Sequence, residues 1–366
     1  MHAVKRNFLP WKNIHSAKPP RLALTAALVN PAHPPPHEDQ PMANLKITLA
    51  CADYARVMPL ATGAVKPEGI DLTMALGDSG SWPKRANALS LAARSPDVDG
   101  GEWSCAQHLY AVDRGDRMNV GLPIFPLRNF TARDIYVRKG GPIRSAADLK
   151  GARVGSYSYT ASGSIWYRHL LRHLGAPPES FTWWIGNIDA PWSAPFDQKL
   201  PDGVFNAPAD HSLSTMLIEG ELDAILSPPR PERYHPTNGP IARLFPDFRP
   251  VEEGYFAATR CFPPQHLIVV RRALFAANPW IAKSLTDAFA AAEAMFVASI
   301  RGFPYATPWL EEELEKTIAA MGTDFHPVGY DACAHEIDAF AAEAHRMGFT
   351  AKRLTSADYF ADYLAA

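Results

Sequence analysis

Residues 145–186 alternate between apolar runs and helical patterns, and this alternation restricts the folds open to the chain. The segment reads SAADLKGARVGSYSYTASGSIWYRHLLRHLGAPPESFTWWIG. Ser145 with Asp148 indicates a helix start, and a strand, a polar loop, a helix and a second strand follow. Gly175 followed by Pro177 ends the longer helix. The order predicts a βαβ unit and therefore a parallel sheet.

The same alternation recurs along most of the chain. Further strands are predicted within the segments 45–51, 69–76, 135–138, 223–226 and 266–275. Residues 278–300 have the pattern of an amphipathic helix. We therefore expect an α/β fold, in which ligands bind at the carboxyl ends of strands and close to helix N-termini.

The N-terminal segment 1–41 differs from the rest of the sequence. It contains PP, PPP and scattered basic residues without a periodic pattern, which predicts a disordered extension. Its apolar run LALTAALV is at the short end for a signal peptide, and no convincing small-residue cleavage site follows. Met42 opens MANLKITLA, which immediately has the pattern of a strand. We hypothesise that Met42 is the natural start.

Composition argues against several classes of function. The 366 residues are 47% hydrophobic, which is enough for two domains of ordinary size. The formal net charge of -2 gives no reason to expect nucleic acid, and no run of 18 apolar residues predicts a membrane span. The four cysteines form no CxxC pair, which argues against metal and redox motifs. We expect a reduced cytoplasmic protein, with two disulfides as the alternative.

Small polar residues crowd the junction between strand and helix in GSYSYTASGSIWYRHLL, residues 155–171. They do not form GxSxG, so a nucleophile elbow is not indicated. We expect Ser162 or Ser164 to cap the helix. The residues expected to face a ligand are Tyr157, Ser158, Tyr159 and Thr160. The alternative is that the polar residues only cap the helix.

The helix after this loop carries four further side chains of interest. We expect Trp166 to pack in the core and Arg168 to be exposed. His169 and His173 lie four residues apart, a spacing that lets two imidazoles share one metal ion. However, HLLRH lacks the Glu of HExxH, and a cation near a helix C-terminus is favourable without any metal. We therefore expect no metal site, with metal binding as the alternative.

The order of motifs resembles the type II periplasmic-binding-protein fold. This resemblance rests on DLKGARVG, the polar loop and its helix, GELDAIL and HLIVVRR, in that order. It implies two α/β lobes with a ligand cleft between them. Lobe 1 would comprise residues 42–138 and 256–366, and lobe 2 would comprise residues 139–255.

From about residue 44 to the C-terminus, the sequence is similar to the 4,5-dihydroxyphthalate decarboxylase family. The similarity rests on the ordered motifs DYARVMPLATGAVKPEGIDL, DVDGGEWS, GLPIFPLRNF, DLKGARVG, IWYR, GELDAILSPPRP, LFPD and CFPPQHLIVVRR. It implies non-oxidative, cofactor-independent decarboxylation of a dihydroxylated aromatic acid such as 4,5-dihydroxyphthalate. The products would be protocatechuate and carbon dioxide.

Two positions depart from the pattern of the family. Ala132 stands where the family usually has a histidine, and Arg133 follows it. Ser158 stands where the family usually has a glutamate. Both positions are expected at the cleft, so a related aromatic acid is an alternative substrate.

The implied reaction needs a proton for the ring carbon that carries the departing carboxylate. It also needs a cation for the carboxylate that stays and a pocket that desolvates the one that leaves. Family-like positions after strands suggest Arg56, Arg128 and Arg230 as carboxylate ligands, a role that suits the guanidinium fork. His266, at the start of a predicted strand, is the expected acid.

Two acidic residues complete the predicted site. Glu102, in DVDGGEWS, would bind a phenolic hydroxyl or act as a base, or else only start a helix. Asp53 would contact the substrate in a similar way. The expected partner is a small aromatic carboxylate, and self-association into a homo-oligomer stays open. The alternative function is a binding protein that captures a small anionic aromatic ligand for transport or sensing.

Overall fold

The computed structural model describes residues 43–77, 95–191, 200–301 and 307–366, which form two mixed β-sheets with surrounding helices. The predicted extension over 1–41 and the start at Met42 lie outside the described residues. Within the described part, no helix combines the length and apolar character needed to cross a bilayer.

Eleven strands are present in the described residues. They are β1 Leu45–Cys51, β2 Ile70–Leu76, β3 Gly100–Ser104, β4 Asn119–Arg128, β5 Ile135–Arg138, β6 Arg153–Ser156, β7 Thr182–Ile185, β8 Val204–Asn206, β9 Ala224–Leu226, β10 Ile241–Arg243 and β11 Pro264–Arg271. The first sheet has the order β2-β1-β3-β11-β4, and the second has the order β10-β5-β9-β6-β7-β8.

The described α-helices surround these sheets. They are α1 Met58–Ala61, α2 Cys105–Arg114, α3 Ser162–His173, α4 Leu213–Glu219, α5 Arg249–Thr259, α6 Arg272–Ala277, α7 Ile281–Ile300, α8 Leu310–Met321, α9 Tyr330–Arg346, α10 Ser356–Tyr359 and α11 Ala361–Leu364. Short 3-10 helices lie at Ala55–Val57, Ala132–Asp134, Ala146–Leu149 and Pro178–Ser180.

The predicted βαβ unit is confirmed, because β6 and β7 are parallel neighbours joined through α3. Both sheets also contain antiparallel pairs. In the first sheet β11 is antiparallel to β3 and β4, and in the second β5 is antiparallel to β9 and β10. The α/β class expected from the sequence is therefore present, with two mixed sheets.

Strand β5 lies in the second sheet, although the predicted lobe limits placed it in lobe 1. Its Ile135 pairs with Leu226 of β9. The chain therefore first crosses between the sheets after Arg128, through the 3-10 helix Ala132–Asp134. A short apolar strand has no local signal that assigns it to one sheet rather than the other. The lobe limits 42–138, 139–255 and 256–366 otherwise stay a prediction.

Two consecutive glycines let β3 pass between β1 and β11. A Cβ on Gly101 would collide with the backbone of Ala50, and one on Gly100 would collide with the carbonyl of Val269. This close packing sets the position of the next residue, Glu102, in the centre of the first sheet.

The C-terminal helices contact helices that flank both sheets. In α9, Phe340 packs on Trp166 of α3, and Glu343 accepts a hydrogen bond of 2.9 Å from Arg172. Tyr359 of α10 donates a hydrogen bond to the carbonyl of Cys105 at the start of α2. These contacts fix α2 and α3, whose first turns both border the site described next.

Candidate active site

A cavity of about 470 Å³ lies between the two sheets, a size that suits one small ligand. The first sheet contributes Trp103, Leu127 and His266 to its wall. The loop after β6 contributes Tyr157, Ser158 and Thr160, and Pro228 follows β9. Other lining residues include Ser104, Gln107, Asn129, Thr131, Arg133, Ala161, Ser162, Gly163, Tyr167 and Gln265.

His266 and Glu102 form a hydrogen-bonded pair at this wall. Their strands, β11 and β3, are antiparallel, and the register places Ile268 opposite Glu102. His266 is two residues from Ile268, so it lies diagonally from Glu102 on the same face of the sheet. The Nδ1 and Oε1 atoms are 2.5 Å apart. The histidine side chain is 22% exposed, and that of the glutamate is fully buried.

Glu102 receives three further hydrogen bonds. The backbone N–H of Ala52 and the thiol of Cys51 donate to Oε2, and the hydroxyl of Tyr54 donates to Oε1. Burial by itself would raise the pKa of Glu102, but the hydrogen bond and charge of His266 and the other donors lower the pKa below its ordinary value. The ionised carboxylate therefore accepts the proton of Nδ1–H, which directs Nε2 of His266 towards the cavity.

Glu102 thus lies behind His266 and has no exposed side-chain surface. The sequence led us to expect direct binding of a phenolic hydroxyl or a role as a base. Glu102 is nevertheless among the residues that line the cavity, and its carboxylate accepts hydrogen bonds from Ala52 and His266, so it holds the imidazole in place. Direct contact with a phenolic hydroxyl or a role as a base stays a prediction.

The loop predicted to face a ligand does so in part. Tyr157, Ser158 and Thr160 line the cavity, as expected. Tyr159 does not, because its ring packs against Phe349 and Trp183 on the other side of the loop. The chain bends after β6 ends at Ser156, so the side chains of this loop do not all point to one side.

The expected capping role of the loop serines is wrong. The N-cap of α3 is Ala161, without a side-chain cap. Ser162 instead accepts a hydrogen bond of 3.0 Å from the backbone N–H of Ala106, near the start of α2. Ser164 donates to the carbonyl of Ser158. Because α2 and α3 begin beside each other, a hydroxyl of one helix reaches the first turn of the other.

The three arginines predicted to bind the substrate, and Asp53, are not among the cavity-lining residues. Arg128 is buried and forms an ion pair of 2.7 Å with Glu336 of α9. Arg56 lies beside a separate cavity of about 20 Å³ with Glu293, and Arg230 is exposed. The structure does not bring these residues to the cavity, because a position at or after the end of a strand does not determine which way the side chain points.

Arg133 lines the cavity and is the lining residue with a permanent positive charge among those described. It belongs to the crossing between β4 and β5, and its side chain is 45% exposed. Sequence reasoning missed it as a ligand, although it directly follows Ala132, where the family usually has histidine. Gln265 was also missed, although it adjoins His266.

Two buried carboxyl groups adjoin Arg133. Its Nε is 3.5 Å from Oδ1 of Asp134, and its backbone N–H donates a hydrogen bond of 3.2 Å to Oε1 of Glu252. Burial raises the pKa of Asp134 to about 6 and the pKa of Glu252 to about 7. As the pH rises towards neutrality, both carboxyl groups ionise, and this lowers the free energy of unfolding.

We predict that Glu252→Gln weakens the pH dependence of stability. Between the ordinary pKa of the carboxyl and about 7, the folded state retains a proton at Glu252 that the unfolded state has released. The free energy of unfolding therefore falls as the pH rises through this window. Denaturant titrations at pH 5 and pH 7.5 should show a smaller decline for the variant. An equal decline in both proteins would contradict the prediction.

Of the two expectations for burial in helix α3, one is correct and one is wrong. Trp166 is a core residue, as expected, and donates to the carbonyl of Pro264. Arg168 is fully buried rather than exposed, with its guanidinium 4.0 Å from the ring centroid of Trp183. It also donates to the carbonyl of Tyr159 and so supports the cavity loop. Burial lowers the pKa of Arg168 to about 10, and aromatic faces replace part of its hydration.

The histidine pair of α3 surrounds one tyrosine. Nδ1 of His169 is 2.7 Å from the hydroxyl of Tyr255, and the ring of His173 packs edge-on against the same tyrosine. The two imidazoles therefore anchor α5 to α3 and are not cavity-lining residues. The four cysteines, all within the described residues, are free and buried, so the disulfide alternative is wrong.

These features define a class of protein: a two-sheet α/β protein with an internal cavity of the size of a small ligand. The site combines a buried carboxylate, an imidazole that faces the cavity, an arginine, and amide and hydroxyl groups.

Comparison with known proteins gives the family. The chain is 31% identical over 210 residues to a 4,5-dihydroxyphthalate decarboxylase of Pseudomonas putida, across 56% of this chain and 79% of the relative. It is 29% identical over 326 residues to a 4,5-dihydroxyphthalate decarboxylase of Comamonas testosteroni, across 87% of this chain and 97% of the relative. No family model matches. The chain belongs to the 4,5-dihydroxyphthalate decarboxylase family.

Solved structures similar to this chain include binding proteins and an enzyme. The sulphonate-binding protein SsuA of Escherichia coli aligns over 86% of this chain and 91% of its own, at 15% identity and a TM-score of 0.47. The alkanesulfonate-binding protein SsuA of Xanthomonas axonopodis pv. citri aligns over 87% of this chain and 97% of its own, at 14% identity and a TM-score of 0.43. The desulfurization enzyme DSZB aligns over 87% of this chain and 99% of its own, at 15% identity and a TM-score of 0.39.

Proposed function

We propose that this protein is a carboxy-lyase that decarboxylates a dihydroxylated aromatic acid such as 4,5-dihydroxyphthalate, without an organic cofactor. The products are protocatechuate and carbon dioxide. The observation that carries the proposal is the His266–Glu102 pair at the wall of a ligand-sized cavity in a member of this family.

His266 acts as the general acid. Its Nε2–H donates a proton to the ring carbon that carries the departing carboxylate, while the hydroxyl para to that carbon supplies electron density. The carbon–carbon bond to the carboxylate then breaks, its electron pair restores the aromatic ring, and carbon dioxide leaves. The donated proton stays in the product, and His266 regains one from solvent. Glu102 stabilises the imidazolium before transfer and keeps the ring aligned.

The wall beside His266 favours loss of charge from the carboxylate. Leu127 is the register partner of His266 on β4, and Trp103 precedes Ser104 on the neighbouring strand. A carboxylate placed against these apolar surfaces loses hydration, whereas neutral carbon dioxide does not need it. The barrier therefore falls because the charged ground state is less well solvated than in water.

The test is direct. Purified, chelator-treated protein is incubated with 4,5-dihydroxyphthalate, and substrate loss and protocatechuate formation are followed by chromatography. Several turnovers per protein chain would support the proposal. Saturable binding without product would instead support a binding protein for transport or sensing. Neither turnover nor binding would contradict both functions and direct attention to other aromatic acids.

The compartment is part of the proposal. Four buried, unpaired thiols are compatible with a reducing environment such as the cytoplasm. Separation of native cell extracts into cytoplasmic and exported fractions, followed by detection of the chain, tests this location.

A further inference from the structure

We infer that Arg133 determines specificity by binding a second carboxylate, the one that stays on the ring. This inference rests on the proposed decarboxylation at the same site. It assigns to one residue the preference for two neighbouring carboxylates that the proposed substrate requires. It also gives a physical reason why protocatechuate, the proposed product, keeps its carboxylate.

The backbone of Arg133 is held on both sides. Its N–H donates to Glu252 at 3.2 Å, and its carbonyl accepts a hydrogen bond of 2.9 Å from Nε of Arg243. These two bonds fix the crossing segment between the sheets at this residue. The backbone position from which the side chain extends is therefore fixed before any ligand binds, which lowers the entropic cost of binding.

The guanidinium is also oriented. Its Nε faces Asp134 at 3.5 Å, and Asn129 donates a hydrogen bond of 3.3 Å to the other carboxylate oxygen of Asp134. The side chain keeps 45% of its surface exposed and lines the cavity. With Nε directed to Asp134, the terminal nitrogens provide the parallel donors that bind a carboxylate in two places.

The charge of Arg133 decides which carboxylate it holds. A departing carboxylate becomes neutral carbon dioxide, so an arginine bound to it would stabilise the ground state more than the transition state and slow the reaction. A retained carboxylate keeps its charge throughout, and binding it costs nothing at the chemical step. Arg133 therefore holds the retained group, while the apolar wall beside His266 receives the departing one.

This division explains why the reaction stops. Protocatechuate has one carboxylate, and Arg133 competes for it with the apolar wall beside His266. Bound in that way, the monoacid presents to His266 a ring carbon that carries hydrogen instead of a carboxylate. A second round of decarboxylation is then blocked by orientation, although the remaining carboxylate is still para to a hydroxyl.

The first experiment measures binding without turnover. Phthalate and benzoate lack the ring hydroxyls and differ by one carboxylate, so calorimetric titration with each reports on the second carboxylate alone. We expect wild-type protein to bind phthalate more tightly than benzoate. Arg133→Ala should reduce this preference by about 10- to 100-fold, the usual effect of losing charge-assisted hydrogen bonds. Arg133→Lys should retain part of it. An unchanged preference in Arg133→Ala would overturn the inference.

The second experiment follows turnover. With 4,5-dihydroxyphthalate, Arg133→Ala should raise KM much more than it lowers kcat, and wild-type protein should leave protocatechuate unconsumed. Arg114→Ala, an exposed residue at the far end of α2, is the matched control and should behave as wild type. Conversion of protocatechuate to catechol by wild-type protein would contradict the inference. Absence of turnover in wild-type protein that still prefers phthalate through Arg133 would contradict the proposed function instead.

Discussion

His266→Ala is expected to lower kcat for 4,5-dihydroxyphthalate by about 10²- to 10⁴-fold, the usual contribution of a positioned general acid. In the proposed mechanism the side chain is the proton donor at the cavity wall, and alanine leaves only water to protonate the ring carbon. KM should change little, because the retained carboxylate is proposed to bind Arg133 rather than His266. Steady-state kinetics, together with a far-ultraviolet circular dichroism spectrum, measures the effect and checks the fold.

Two further variants separate the acid from its support. Glu102→Gln keeps a hydrogen-bond acceptor beside Nδ1 but removes the negative charge, so kcat should fall by less than in His266→Ala. His335→Ala removes an exposed histidine outside the cavity lining and should leave kcat at the wild-type value. Full turnover by His266→Ala would remove this residue from the mechanism.

Local sequence patterns predicted those parts of the fold and site that depend on neighbouring residues. The βαβ unit around α3 follows from the alternation of apolar and polar residues, and the loop at its start exposes Tyr157, Ser158 and Thr160 to the cavity. His266 was chosen because it stands at the start of a predicted strand, at an expected crossing between the lobes, in a family-like context. Each of these features is set within one or two elements.

The remaining features depend on residues that are distant in the sequence. Arg168 was expected at the surface, and only the packed fold shows that Trp183 and Phe349 enclose it. Arg128 and Arg133 are five residues apart, yet one points into the interior and the other into the cavity. Glu336 of α9 holds Arg128 in the interior, and no local pattern near residue 128 indicates that partner.

Arg128→Ala is expected to destabilise the fold by about 3–5 kcal/mol, because it leaves Glu336 as an uncompensated buried charge. The guanidinium also donates to the carbonyl of Phe262 at 2.7 Å, while Glu336 accepts from the backbone N–H of Phe262. The pair therefore ties the end of β4 to α9 and to the segment before β11. Urea unfolding followed by tryptophan fluorescence gives the free energy of unfolding.

The double variant Arg128→Met with Glu336→Leu removes both charges and keeps apolar volume, so it should recover much of the lost stability. Loss of Arg128 alone should therefore lower the free energy of unfolding more than loss of both charges. A role of Arg128 in substrate binding does not predict this difference. If Arg128→Ala kept the wild-type free energy of unfolding and raised KM strongly, the arginine would be a substrate ligand, as the sequence first suggested. Since its side chain is fully buried against Glu336, we expect the opposite: a large loss of stability, with KM of the remaining folded protein close to that of wild type.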